Sequence, residues 1–159
     1  MTKYYQKFSS PIGCIHIVAD DNSLRSITFD CNWESVNKTV DDIKPEHNAI
    51  TKQTQFQLQK YLAGERTKFD LPIGFRGTEF QQQAWQALLS IPYGKTCSYS
   101  EQAQLIGNPR AVRAVGRANG MNPIAIVVPC HRVIGKSGKL TGYAGGLDIK
   151  QFLLDLEAR

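Results

Sequence analysis

Three short apolar-rich runs open the chain, at 4–8, 14–19 and 24–29, parted by Ser9-Ser10-Pro11-Ile12-Gly13 and by Asp20-Asp21-Asn22-Ser23. Runs of this length bounded by Gly, Pro, Asp and Asn predict strands joined by tight turns, hence an antiparallel meander. A polar, irregular stretch follows through Glu46. Over 49–63 the pattern changes to helical spacing, with Ile50, Leu58, Tyr61 and Leu62 on one face and Gly64 as the stop. Leu71-Pro72-Ile73-Gly74 then reads as a linker, dividing the chain into 1–73 and 74–159.

The second half is punctuated by helix starts. Thr78 with Gln81 forms a capping box ahead of Phe80, Ala84 and Leu88, and this helix stops before Pro92-Tyr93-Gly94. Ser98 with Glu101 forms a second box, opening a short helix that Gly107 closes. Asn108 is expected to cap a third helix, with Pro109 in its first turn, running to about Asn119-Gly120. Two helices meeting across a tight Gly-Asn turn make a helix-turn-helix. A final apolar stripe, Ile149, Phe152, Leu153 and Leu156, predicts a last helix with Glu157 just beside the stripe.

Composition changes the picture by where the charge falls. The net charge is +5, with 9 Lys/Arg against 9 Asp/Glu in residues 1–73 and 10 against 5 in residues 74–159. Residues 102–147 hold no acid at all, yet include Arg110, Arg113, Arg117, Arg132, Lys136 and Lys139. One basic half points to a polyanionic partner. At 100° per residue Arg110, Arg113 and Arg117 share a narrow arc of the third helix, opposite Ala111, Val115 and Ala118. Small residues such as Ala114 and Gly116 allow that helix to approach a nucleic-acid strand. No apolar run is long enough for a membrane span, so a soluble, cytoplasmic protein is expected.

Chemistry concentrates after the apolar run 124–128, which leads into Pro129-Cys130-His131-Arg132-Val133. A thiolate is the competent nucleophile, and an adjacent imidazole with nearby cationic groups is expected to favour it. The four cysteines form no CxxC pair. Cys14 and His16 share a strand face, and Cys31 and His47 would complete four ligands, but alternation of this kind also describes an ordinary half-buried strand; no metal is expected.

The string from Asn122-Pro123-Ile124 through Pro129-Cys130-His131-Arg132-Val133-Ile134-Gly135, followed by Gly142-Tyr143-Ala144-Gly145-Gly146-Leu147, resembles the O6-alkylguanine-DNA alkyltransferases, the methylated-DNA-protein-cysteine methyltransferases. Gly77-Thr78-Glu79-Phe80-Gln81, Ile91-Pro92-Tyr93-Gly94-Lys95-Thr96, Ser98-Tyr99, Arg113-Ala114-Val115-Gly116 and Leu153-Leu154-Asp155-Leu156-Glu157 follow the family's order and spacing.

The resemblance implies an α+β protein with a small N-terminal ribonuclease H-like α/β domain and a C-terminal, mainly helical winged helix-turn-helix domain. It implies irreversible, single-turnover transfer of the alkyl group from O6-alkylguanine, less readily O4-alkylthymine, in duplex DNA to Cys130, by a monomer without a cofactor. Cys130 would be activated through a water by His131, which Glu157 orients; Tyr99 would protonate the leaving base, and Asn122 would hold the active-site turn. Val133, Tyr143, Ala144 and Gly145 would wall the pocket. Arg113 would fill the space of an extruded nucleotide, with Gly116, Arg110, Arg117, Ser100, Asn108 and Lys136 along the DNA. A DNA-binding module without transfer activity is disfavoured by the presence of Cys130. A cysteine hydrolase leaves the basic stripe unexplained.

Overall fold

The computed structural model describes residues Met1–Arg159, which fall into two compact units, Met1–Phe75 and Arg76–Arg159. In the first, β1 (Lys3–Ser10), β2 (Gly13–Ala19) and β3 (Leu24–Phe29) form the expected antiparallel meander. Gly13, at φ +97°, makes the first turn tight.

Two features of this unit depart from expectation. The stretch read as irregular contains α1 (Asp30–Asn37), and β4 (Ile43–Lys44) adds to β1 in parallel, giving a mixed sheet of order β3-β2-β1-β4. α1 has no side-chain cap and no fully buried residue, so it carries no local signal and forms where Trp33 can stack on the sheet. β4 is two residues long and polar on one side, below what alternation can reveal.

Residues alternate across the meander. Ile15 and Ile17 pair with Phe29 and Ile27, and all four are buried. The helix α2 (Ala49–Leu62), started by an Asn48–Thr51 capping box, packs Leu58, Tyr61 and Leu62 onto the sheet. Cys14 and His16 point to the opposite face, where the rings of Tyr5, His16 and Trp33 stack at about 5–6 Å or closer.

The second unit holds α3 (Glu79–Leu88), β5 (Cys97–Ser98), α4 (Tyr99–Leu105), α5 (Val112–Gly120), β6 (Val133–Ile134) and α6 (Leu147–Glu157). Both expected capping boxes are present, Thr78 with Gln81 and Ser98 with Glu101. Gly107, at φ +75°, closes α4 as the sequence predicts. Trp85 and Leu88 of α3 are fully buried beneath the helix pair, each worth on the order of 2–3 kcal/mol of apolar burial.

The third expected helix of the second half, α5, starts later than expected. Residues 108–111 form a turn closed by Ala111 N–H on the Asn108 carbonyl, and the helical ladder begins with Val115 N–H on Ala111. Asn108 N–H donates to the Ala103 carbonyl, a bond that closes α4, and α5 carries no side-chain cap. Arg110 therefore sits in the connecting turn, and the helical basic stripe reduces to Arg113 and Arg117, both exposed.

Three buried polar contacts fix the helices. Gln102 of α4 and Asn119 of α5 exchange reciprocal amide hydrogen bonds at 2.9 and 2.7 Å, Gln102 also donates to the Ala84 carbonyl at 3.1 Å, and Trp85 Nε1 donates to Ala118 at 2.7 Å. A satisfied buried amide pair specifies one helix-helix register, where an apolar pair would permit several. No helix in either unit is long and apolar enough to cross a membrane.

Candidate active site

The local chain path brings the chemistry together. β5 and β6 pair in parallel, Cys97 with Val133 and Ser98 with Ile134, which fastens the start of α4 beside the segment that follows the cysteine. Tyr99, the first residue of α4, thus faces the same space as Cys130. Cys130–Arg132 form a single 3-10 turn after the buried but non-regular run 124–128, in which Ile126 takes a left-handed φ of 70°. Asn122 holds this turn from inside: its amide Nδ2 donates to Val128 O at 2.8 Å, and its Oδ1 accepts from Ile124 N–H at 3.0 Å.

A cavity of about 490 Å³ opens here, with Cys130 on its wall together with Tyr99, Gly116, Tyr143 and Ala144. Volumes of roughly 300–1,000 Å³ suit small-molecule ligands, so a single purine base fits. Thr141 and Gly142 also line it, whereas the expected Val133 and Gly145 do not; Val133 is fully buried, and its carbonyl accepts from Lys150 Nζ. Gly116 lies against the Tyr99 ring, where a Cβ would meet Tyr99 Cδ1 at an ordinary 3.8 Å.

Next to the cavity is a buried charged group. Glu157, 5% exposed, accepts from His131 Nε2 at 2.7 Å, from Arg132 Nε and Nη2 at 2.8 and 3.0 Å, and from Gly94 N–H at 3.3 Å. Arg132 Nη1 donates to the Ile91 carbonyl at 2.7 Å, and its guanidinium lies over the Tyr93 ring. The Ile91-Pro92-Tyr93-Gly94 turn is therefore a cradle for this ion pair. Gly94 needs its φ of +78°, and a Cβ there would press to 3.2 Å from the Glu157 carbonyl.

Burial pushes His131 below the ordinary histidine range, and the pull of Glu157 the other way does not overcome it, because Glu157 is shared with Arg132. The ring is neutral at pH 7. Its Nε2 must carry the proton that Glu157 accepts, so the lone pair resides on Nδ1, which is buried and has no hydrogen-bond partner in the protein. That nitrogen is a base.

The thiol differs from expectation. Burial pushes Cys130 up, offset in part by a hydrogen bond from Asn122 and by the charge of Lys150. Arg132 does not act on it, being committed to Glu157, and a neutral His131 brings no charge. Lys150 is the residue the sequence reading missed. Its side chain is fully buried, and its ammonium donates to the carbonyls of Val133 at 2.7 Å and Thr141 at 3.2 Å. Burial pulls its own pKa down, against the opposing effect of Cys130. The signal was available: Lys150 stands three residues before Leu153 and seven before Glu157, on the buried stripe of α6. Lys150→Met is expected to slow alkyl transfer near pH 7 about tenfold and to move the pH–rate profile upward by about one unit, checked by single-turnover rates across pH.

The other thiols lack this setting. Burial, then the Glu101 carboxylate, push Cys97 up to about 11. Cys14, His16 and Asp30 place their ligand atoms within 4.8 Å of one another, and Cys31 and His47 stand outside this group. Both nitrogens of His16 are already hydrogen-bonded, Nδ1 with the Tyr5 phenol at 2.6 Å and Nε2 with Asp30 at 2.8 Å.

The remaining expected residues lie on the outer surface. Arg113 and Arg117 project from α5, Arg110 and Asn108 from the turn before it, and Lys136 from the turn after β6; Ser100 is half-exposed in the first turn of α4.

Comparison with known proteins agrees with this geometry. The family model of the 6-O-methylguanine DNA methyltransferase ribonuclease-like domain matches residues 3–75, and that of the family's DNA-binding domain matches residues 79–159. A methylated-DNA--protein-cysteine methyltransferase of Methanosarcina acetivorans is 51% identical over 154 residues, covering 97% of each chain. The constitutive enzyme of Bacillus subtilis is 44% identical over 156 residues, covering 97% of this chain and 94% of its own. The crystal structure of Mycobacterium tuberculosis OGT in complex with DNA superposes with a TM-score of 0.86 at 48% identity, covering 98% of this chain and 92% of that one. With a cysteine on the wall of a cavity that admits a base, a buried Glu-His-Arg group beside it and two family models matched in sequence, the chain belongs to the methylated-DNA-protein-cysteine methyltransferase family.

Proposed function

We propose that the protein repairs alkylated duplex DNA as a monomer inside the cell, moving the alkyl group from O6 of guanine, and less readily from O4 of thymine, onto Cys130 once per molecule. The observation that carries this reading is the position of Cys130 on the wall of a cavity with room for a base, beside a neutral histidine whose free lone pair is buried with it. A hydrolase would use the same pair, but the exposed arginines of α5 would then have no task.

The alkyl carbon lies within the base stack, so the nucleotide must leave the duplex, at a cost of a few kcal/mol. Arg113 takes the vacated space, while Arg117 and Arg110 neutralise phosphates. In the pocket, His131 Nδ1 draws the thiol proton through an intervening water, and the resulting imidazolium is stabilised by Glu157. Lys150 and Asn122 stabilise the thiolate as it forms. The sulfur displaces the purine oxygen at the alkyl carbon, and Tyr99 gives its proton to the departing base. The product is a thioether with no competent leaving group, so the cysteine is not regenerated.

Arg113→Ala is expected to slow transfer from duplex DNA about tenfold or more, with a much smaller effect on free O6-benzylguanine, which needs no extrusion. Arg117→Ala should instead weaken binding to every sequence and lower the salt slope by about one unit. Parallel rates on both substrates and affinities over a salt series test the assignment; equal loss on both substrates would refute Arg113's role in extrusion.

A further inference from the structure

Thr141 lines the cavity, and its Oγ1 lies 2.6 Å from the Tyr99 phenol oxygen. Both ends of this contact are fixed by structure. The Tyr99 ring rests on Gly116 one residue after the Ser98 cap, and the Thr141 carbonyl accepts from the buried Lys150 ammonium at 3.2 Å. The turn ahead of Thr141 is closed by Gly135 N–H on Lys139 O and Gly138 N–H on Gly135 O, both at 2.8 Å. At Gly135 a Cβ would sit 2.9 Å from the Lys139 carbonyl, so the turn folds this closely only with glycine there.

We infer that Thr141 is a positioning residue for the leaving-group proton: its hydroxyl donates to the Tyr99 oxygen while the phenol proton goes to the departing purine. The inference rests on the reading of Tyr99 as the proton donor. In the free protein either oxygen of the pair can donate. The phenol has a single proton, and once that proton points at a base, its oxygen can only accept, which fixes the direction of the Thr141 hydrogen bond. During transfer the sulfur–carbon bond forms and the carbon–oxygen bond breaks, with its electron pair passing to the purine. The Tyr99 O–H bond also breaks, its proton passing to the purine. The nascent phenolate then holds a short, charge-assisted hydrogen bond from Thr141 that was weaker in the ground state, which is the condition for acceleration. Solvent reprotonates Tyr99, and no other reactant is required.

Single-turnover rates on free O6-benzylguanine and on O6-benzyl-8-azaguanine, whose departing purine is more acidic and needs less protonation, test this. Thr141→Val should slow the first substrate about tenfold and the second markedly less, while Thr141→Ser should stay within about twofold of the parent on both. In a Tyr99→Phe background Thr141→Val should have no further effect. Equal loss on both substrates, or an undiminished loss in that background, would overturn the inference and leave Thr141 as a wall of the pocket. If Tyr99→Phe is slow on the first substrate and Thr141→Val is not, the donor reading stands and the inference alone fails. If Tyr99→Phe matches the parent on both, the donor reading fails and the inference with it.

Discussion

Glu157→Ala is expected to remove about 3–5 kcal/mol of folding stability, because it leaves the Arg132 guanidinium buried without its counter-charge. Arg132 is 7% exposed, and three of its donors are directed at Glu157 and the Ile91 carbonyl. The Gly94 turn loses an acceptor as well. A loss of this size approaches the whole stability of many domains, so the variant should unfold at markedly lower denaturant, or fail to accumulate. Glu157→Gln also removes the counter-charge of Arg132, but it keeps the shape and one acceptor oxygen and should therefore lose less stability than Glu157→Ala, while its amide can present a donor to His131 Nε2 and favour the wrong tautomer. The proton would then sit on Nδ1, and the base would be lost. Transfer should fall by about a hundredfold or more while most of the fold survives. Denaturant titration beside single-turnover rates checks both variants, and a Glu157→Gln protein with parent rates would contradict the assignment of His131 as base.

Cys130→Ala should abolish transfer outright while changing affinity for duplex DNA by no more than about threefold, since binding is supplied by phosphate contacts on another surface. The cysteine contributes little to packing that alanine would not keep, and Asn122 retains its bonds to Val128 and Ile124, so the turn should hold. Circular dichroism confirms the fold, and gel-shift titration measures the binding. Residual transfer in this variant would remove the mechanism.

Much of this was legible in the chain because the signals were local. The two capping boxes, Gly107 and the strand turns act within four residues, and the structure keeps all of them. The start of α5 was not legible: Asn108 and Pro109 are good helix-starting residues, but the chain spends residues 108–111 on a turn closed by Ala111 N–H on the Asn108 carbonyl, and α5 begins after Ala111 without a side-chain cap. α1 and β4 depend on tertiary contacts and carry little pattern of their own. At the site, the string around Cys130 pointed to the right position, yet adjacency in sequence misassigned the electrostatics. Arg132 stands two residues from Cys130 and serves Glu157, while Lys150 stands twenty residues away and serves the thiol. The place of Glu157 beside the α6 stripe permitted an inward direction, and the family resemblance carried it; Lys150 lies on the same stripe, and the usual solvation of lysine concealed it.

In this mechanism one alkyl group ends on one sulfur. Incubation with duplex DNA carrying O6-methylguanine, followed by intact-protein and peptide mass spectrometry, tests it most directly. A plateau is expected at one methyl-for-hydrogen exchange per active molecule, located in the peptide that contains Cys130, with excess substrate causing no further change. Sustained turnover, or methyl on Cys97, whose thiol is pushed up to about 11, would contradict it.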